Sequence, residues 1–183
     1  MVKVDDLTFQ YPDSSYRMRL KSFCIKPGEK LALTGASGSG KTTLLKLIGG
    51  ILCPQQGQVT VDGTQLESLT AAERRNFRIS RMGFIFQELQ LLDYLNVQDN
   101  ILHPYRINRS IRLDQTVRDR AFQLAEQTGL RSKLSQKPGA LSQGEKQRVA
   151  VCRALLPMPG LLIADHELLP YFDRVVDFRE LLD

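Results

Sequence analysis

Residues Gly35-Ala36-Ser37-Gly38-Ser39-Gly40-Lys41-Thr42 spell G-x-x-x-x-G-K-[ST], and this run constrains the fold more than any other part of the chain. It follows residues 30–34, a short apolar stretch of strand character, and precedes residues 43–48, whose apolar spacing reads as a helix. A strand, a glycine-rich turn and a helix in that order form a cradle for phosphate. Glycines let backbone N–H groups approach phosphate oxygens with no Cβ in the way. The helix start adds unpaired N–H donors and the positive end of its dipole. In such a loop Lys41 reaches the β- and γ-phosphates and the Thr42 hydroxyl ligates Mg²⁺.

The rest of the composition bounds the answer. A chain of 183 residues, 42% hydrophobic and 25% charged, can bury one good core and has room for a smaller lobe. No apolar stretch reaches the ~18–20 residues of a membrane span, residues 44–52 coming nearest, and the N-terminus lacks the apolar centre of a signal peptide. Cys24, Cys53 and Cys152 are scattered and odd in number, which suits reduced thiols in a cytoplasmic protein. The net charge is +5, and Arg74, Arg75, Arg78 and Arg81 make the densest basic cluster. Beyond the single Phe77, no aromatic-basic interleaving of the kind found on nucleic-acid surfaces accompanies these arginines. A solvated helix face, or one near acidic lipid headgroups, accounts for them better.

Along the chain, residues 2–10 and 17–26 alternate as antiparallel strands do, with Tyr11, Pro12 and Asp13 turning between them. Residues 58–61 followed by Asp62-Gly63 signal a hairpin. Thr70 and Glu73 form a capping box ahead of a short basic helix, and residues 82–86 read as a buried strand. From 96 to 136 the pattern is helical and polar, clearest over 113–128 and closed by Gly129. Ser142 and Glu145 form a second capping box, opening a helix that runs to about Leu156 before Pro157. Residues 161–164 are an apolar strand ending at Asp165. The predicted plan is α/β: a P-loop NTPase parallel-sheet core, an N-terminal antiparallel β lobe and an inserted helical lobe. The expected division is core and β lobe in 1–86 and 142–183, and helical lobe in 87–141.

Leu141-Ser142-Gln143-Gly144-Glu145 resembles the signature sequence of ATP-binding-cassette (ABC) ATPases. Further matches lie in the family's order. Residues 161–165 look like the Walker B strand, whose terminal Asp165 holds the Mg²⁺ shell. Gln87 resembles the Q-loop glutamine that touches the metal and links the core to the helical lobe. Tyr11 resembles the aromatic that stacks on adenine. The resemblance implies ATP and Mg²⁺ as ligands. Tyr11, Gly35, Ala36, Ser37, Gly38, Ser39, Gly40, Lys41, Thr42 and Thr43 would hold the nucleotide, and Thr42, Gln87 and Asp165 the metal. Lys41 and Gln87 would serve the reaction. Ser142, Gln143 and Gly144 would meet the γ-phosphate held by a second cassette. Gln143 stands where the family usually has glycine. Residues 82–100 and 141–156 look most like the lipoprotein-releasing and macrolide-exporter group. That similarity implies a cytoplasmic subunit held at the inner face of the membrane by a separate permease. It also implies a second cassette, expected as a homodimer, and no nucleic acid. Soluble ABC proteins of DNA repair or translation carry long insertions or two cassettes, which this length excludes.

After Asp165 the resemblance breaks. The family places a glutamate there, as base or water-positioning group, and this chain has His166. No switch histidine is visible. Residues 167–178 resemble what normally follows that histidine, including the strand around Asp173-Arg174-Val175-Val176. Roughly one strand–helix–strand step, about 30–40 residues, is therefore expected to be missing between Asp165 and His166. Two readings stay open: an active ATPase whose parent sequence runs on at that junction, or a regulatory module that binds ATP and turns over slowly or never.

Overall fold

A computed structural model describes residues 1–13, 15–164 and 173–182. In chain order the elements are β1 (Val2–Gln10), β2 (Arg17–Ile25), β3 (Leu31–Thr34), α1 (Lys41–Ile48), β4 (Gln56–Val61), β5 (Thr64–Gln65), α2 (Ala71–Arg81) and β6 (Met82–Ile85). Then follow α3 (Val97–Ile107), α4 (Gln115–Gln127), α5 (Gln143–Leu155), β7 (Leu161–Ala164) and β8 (Arg174–Asp177). The chain forms two compact units. One holds Met1–Arg75 with the described residues 173–182, and the other holds residues 76–164.

In the first unit an antiparallel sheet runs β2-β1-β4-β5. β1 pairs with β2 from Val2↔Ile25 to Gln10↔Arg17, and with β4 through Val2↔Val61 and Val4↔Val59. Val2 and Val4 are buried, and so are Leu7 and Phe9, so the buried set changes from even to odd positions within one strand. Side chains alternate strictly along a strand, so one extra residue is required to keep both pairs on one face. That residue lies at a β-bulge. The β1–β4 register shifts between Asp5 and Thr8, and Asp6 takes a positive φ of 48°. Gly57 sits opposite, where an added Cβ would come within 2.4 Å of the Asp6 carbonyl oxygen. Asp62 (φ 47°) and Gly63 (φ 80°) turn β4 into β5, the pair of positive φ values that a two-residue hairpin needs. In the same unit β3 pairs in parallel with β8, Leu31↔Arg174 to Thr34↔Asp177, and leads through the glycine loop into α1.

The second unit is built on β6 and β7, also parallel, from Met82↔Leu161 to Ile85↔Ala164. Its core gathers Val97, Ile101 and Leu102 of α3, Ala121 and Ala125 of α4, and Val149 and Cys152 of α5, with Leu130, Leu141 and Leu156. The helix starts are capped as their sequences require. Asn96 accepts from the Asp99 N–H, Asp114 from the Val117 N–H, and Ser142 forms a reciprocal capping box with Glu145. Asn100 is fully buried, and the shell around it satisfies its amide: it accepts from Leu92 N–H and donates to carbonyls of Leu92, Leu95 and Asn96.

The parallel strands, the N-terminal antiparallel sheet and the helices agree with the predicted α/β fold. Boundaries moved slightly. The clearest helix covers Gln115–Gln127, with Gly129 at φ 71° just beyond, and the hairpin strand starts two residues early at Gln56. Among the described residues the parallel strands form two separate pairs. Val175, in the middle of β8, is 55% exposed and Leu162, in the middle of β7, is 46% exposed. Cys24 and Cys53 are exposed and Cys152 is buried; none forms a disulfide.

Candidate functional site

β3 delivers the chain into a loop that only glycine-rich sequence can follow. Gly35, Gly38 and Gly40 have φ of 141°, 78° and 113°. Gly40 caps α1, and its carbonyl accepts from the Leu44 N–H at 2.9 Å, the first bond of the helix ladder. Residues 35–38 are exposed, and an added Cβ at Gly38 would meet nothing within 4 Å. The loop arches over the helix start, where the first backbone N–H groups have no partner within the helix.

Lys41 closes the arch. Its Nζ donates to the carbonyl oxygens of Gly35 at 2.8 Å and Ala36 at 2.9 Å. The ammonium is thus parked on weak neutral acceptors beside the start of α1, from which a phosphate oxygen would draw it. The Ser39 hydroxyl is buried and has no hydrogen-bond partner among the described residues. An orphaned donor, a cationic amine and a glycine-lined arch at a helix N-terminus fit the phosphates of a nucleotide.

The back of the cradle is lined by two tyrosines. Tyr11 packs edge-on against Phe9, centroids 4.9 Å apart, and its hydroxyl shares a 3.3 Å hydrogen bond with Thr43 Oγ1. Tyr16 donates from its hydroxyl to the Ser39 carbonyl at 2.8 Å. Burial, then the neighbouring Tyr11, raises the Tyr16 phenol above its ordinary range. Where β8 ends, the Asp177 carboxylate lies near Gly35, 3.7 Å from an added Cβ there. Arg179 holds it through side-chain and backbone hydrogen bonds, drawing its pKa down to about 2. The loop therefore faces a carboxylate already paired with a guanidinium.

In the second unit Gln87 is exposed two residues beyond β6. Leu89 and Gln90 follow with positive φ of 55° and 46°, uncommon for residues with a Cβ. Arg153 of α5 secures them: its Nη2 donates to Leu89 O at 2.6 Å and its Nη1 to Gln90 O at 2.7 Å. Burial lowers the Arg153 pKa from its usual value, as expected for a guanidinium lodged against backbone.

Ser142, Gln143 and Gly144 begin α5. The Ser142 hydroxyl is engaged locally, donating to Glu145 Oε2 at 2.9 Å, and that carboxylate also accepts from Ser142 N–H at 2.7 Å. Those bonds hold the Glu145 carboxyl below its ordinary range. The helix tip thus presents backbone N–H groups and a hydroxyl whose partner can be exchanged.

The structure gathers Tyr11 and residues 35–43 in the first unit, and Gln87 with Ser142, Gln143 and Gly144 in the second. Asp165 and His166 lie outside the described residues. Sequence reasoning missed Tyr16, Asp177 and Arg153. Tyr16 and Arg153 donate to backbone carbonyls far away in sequence, and Asp177, bonded to Arg179 two residues on, comes near Gly35 only through the pairing of β3 with β8.

The family profile described as ABC transporter matches residues 19–168. The lipoprotein-releasing system ATP-binding protein LolD of Pseudomonas syringae pv. tomato is 41% identical over 141 residues, covering 77% of this chain and 61% of that protein. The protein of the same name from Syntrophotalea carbinolica is 39% identical over 168 residues, 90% of this chain and 73% of the relative. Among solved structures, a dimeric ATP-binding cassette in a post-hydrolysis state bound to ADP and Pi superposes with a TM-score of 0.78 at 32% identity, covering 90% of this chain and 73% of that one. CbiO1 from Clostridium perfringens, part of the transporter complex cbiONQ, gives 0.74 at 29% identity, with 89% and 64% coverage. The chain therefore spans about three-fifths to three-quarters of the length of these relatives.

Proposed function

This chain belongs to the ABC transporter family, and from that premise we propose that it is the ATP-binding subunit of a transporter of the lipoprotein-releasing type. The observation that carries the proposal is the Lys41 ammonium held on the Gly35 and Ala36 carbonyls across the glycine arch. Family membership, and a superposable cassette bound to ADP and Pi, support reading the cradle as a nucleotide site.

In this reading residues 35–43 wrap the phosphates, Lys41 shifts from the loop carbonyls to phosphate oxygens, and Tyr11 supports the base. Thr42, Gln87 and Asp165, the set implied by the family resemblance, carry oxygen atoms suited to Mg²⁺. The nucleotide supplies the phosphoanhydride bond and the negative charge that bring two cassettes together. Ser142, Gln143 and Gly144 offer their N–H groups to that charge on a second copy of the chain. Residues 87–141 form the lobe that passes the motion to a membrane permease. Among the described residues no helix is long and apolar enough to cross a membrane, which suits attachment through that permease.

Hydrolysis is a separate matter. His166 occupies the position after Asp165 where a carboxylate would act as base, and nothing in the sequence orients it. Val175 in the middle of β8 and Leu162 in the middle of β7 are each about half exposed, which suits the strand–helix–strand step expected to be missing at this junction. These observations favour a second reading for the chain of this sequence: ATP binding with little or no turnover. Phosphate release by the purified protein in Mg²⁺ and ATP, with and without Lys41→Ala, tests both. Binding without steady-state release supports the second reading. Release at several turnovers per minute, abolished by Lys41→Ala, would establish the first.

A further inference from the structure

We propose that Tyr16 is a positioning residue of the phosphate cradle, its hydroxyl fixing the Ser39–Gly40 peptide so that the Gly40 N–H faces the hollow of the loop. The inference rests on reading that loop as a nucleotide site. It adds a residue from outside the G-x-x-x-x-G-K-[ST] run.

The argument begins with the peptide plane. In a trans peptide the C=O of one residue and the N–H of the next point to opposite sides. Whatever holds the Ser39 carbonyl outward therefore aims the Gly40 N–H inward. Tyr16 holds it, donating to Ser39 O at 2.8 Å. The other groups of Ser39 grip weakly. Its N–H makes a long 3.3 Å bond to Ala36 O, and its hydroxyl has no partner among the described residues.

Packing makes the contact specific. An added Cβ at Gly40 would lie 1.8 Å from the Tyr16 hydroxyl oxygen, 2.8 Å from the Cζ carbon and 3.1 Å from Met18 Cε. The phenol occupies the space that the missing side chain leaves. Glycine at position 40 is set by its φ of 113°, and the ring rests against it. Met18, fully buried two residues along in β2, anchors the start of the strand that Tyr16 immediately precedes. The cradle is thus tied to the antiparallel sheet through a side chain as well as through its own strand. Tyr11 is placed differently, with its hydroxyl on Thr43 inside α1.

The test uses the full chain and Tyr16→Phe, which keeps the ring and removes only the hydroxyl. Two quantities are read: the Ser39 carbonyl ¹³C and Gly40 amide ¹⁵N chemical shifts without nucleotide, which report a hydrogen bond on the carbonyl of that peptide, and the Kd for MgATP. Loss of the bond to Ser39 O predicts that both resonances move and that the ATP Kd weakens by about five- to tenfold. Shifts in β1 and β2 and the thermal midpoint stay close to the wild-type values. Unmoved Ser39 and Gly40 resonances, or changes spread through β1 and β2 with an unchanged Kd, would overturn the proposal and leave Tyr16 a packing residue. The resonance arm needs no ligand. If the wild-type protein failed to bind MgATP, the nucleotide reading would fall, while the resonances would still decide whether Tyr16 sets that peptide.

Discussion

Gly83 of β6 lies directly against the Ala154 carbonyl of α5. An added Cβ would come within 2.5 Å of that oxygen and 2.9 Å of Leu162 Cδ1. Backbone meets backbone here, so neither side can move aside without shifting a strand or a helix. The glycine is set by close approach and not by a left-handed φ. Gly83→Ala should destabilise the protein by about 1–3 kcal/mol, the usual cost of overpacking, as read from the urea midpoint at unchanged slope.

Arg153 joins the signature helix to the segment after Gln87 through two carbonyls on positive-φ residues. Charge-assisted bonds of this kind contribute more than neutral ones. Arg153→Ala should lower stability by ~1.5–3 kcal/mol and speed amide exchange over residues 88–92. Arg153→Lys keeps the charge but loses the planar fork, so it should recover only part of the loss. Equal stability of all three proteins would show that the clamp contributes nothing.

Ile101 is fully buried at the centre of the second unit's core. Ile101→Ala should cost about 2–5 kcal/mol, combining lost transfer energy with the cavity left behind. Calorimetry of the two proteins measures it directly.

Acid should weaken the protein through two carboxylates held by hydrogen bonds. Asp177 titrates at about 2 in the fold against an ordinary 3.8, chiefly because of Arg179. Glu145 is lowered from 4.5 by the backbone and side chain of Ser142. A depressed folded pKa gives stability that is present above the unfolded value and lost as pH falls through the folded one. For Asp177 that window runs from about pH 4 down to about pH 2. Asp177→Asn should flatten the loss of stability over that interval, as followed by urea midpoints at stepped pH. An unaltered acid limb would remove the Asp177–Arg179 pair from the account.

What could be read from the sequence was local chemistry. The glycine loop with its lysine, the Ser142–Glu145 box and the Asp62-Gly63 turn each complete their bonds within a few residues, so spacing alone revealed them. The bulge at Asp6 was also written in the chain, in the slip from Val2 and Val4 to Leu7 and Phe9, though it shows only when parity is counted. Contacts across long separations could not be read. Arg153 reaches Leu89 across 64 positions and Tyr16 reaches Ser39 across 23, and in both cases the acceptor is a backbone carbonyl. Every residue type carries that carbonyl, so no composition or periodicity marks the partner. Gly83 is similar: a lone glycine in a strand signals close approach, but only the fold shows that α5 is what approaches.

The central claim is that the arch closed by Lys41 is a nucleotide site, and equilibrium binding of MgATP to the purified chain tests it most directly. Isothermal titration should show saturable binding at micromolar to submillimolar ATP for the wild-type protein, and a loss of at least about tenfold in affinity for Lys41→Ala with an unchanged thermal midpoint. A folded wild-type protein that takes up no ATP at millimolar concentration, or a Lys41→Ala variant that binds as tightly as its parent, would contradict it.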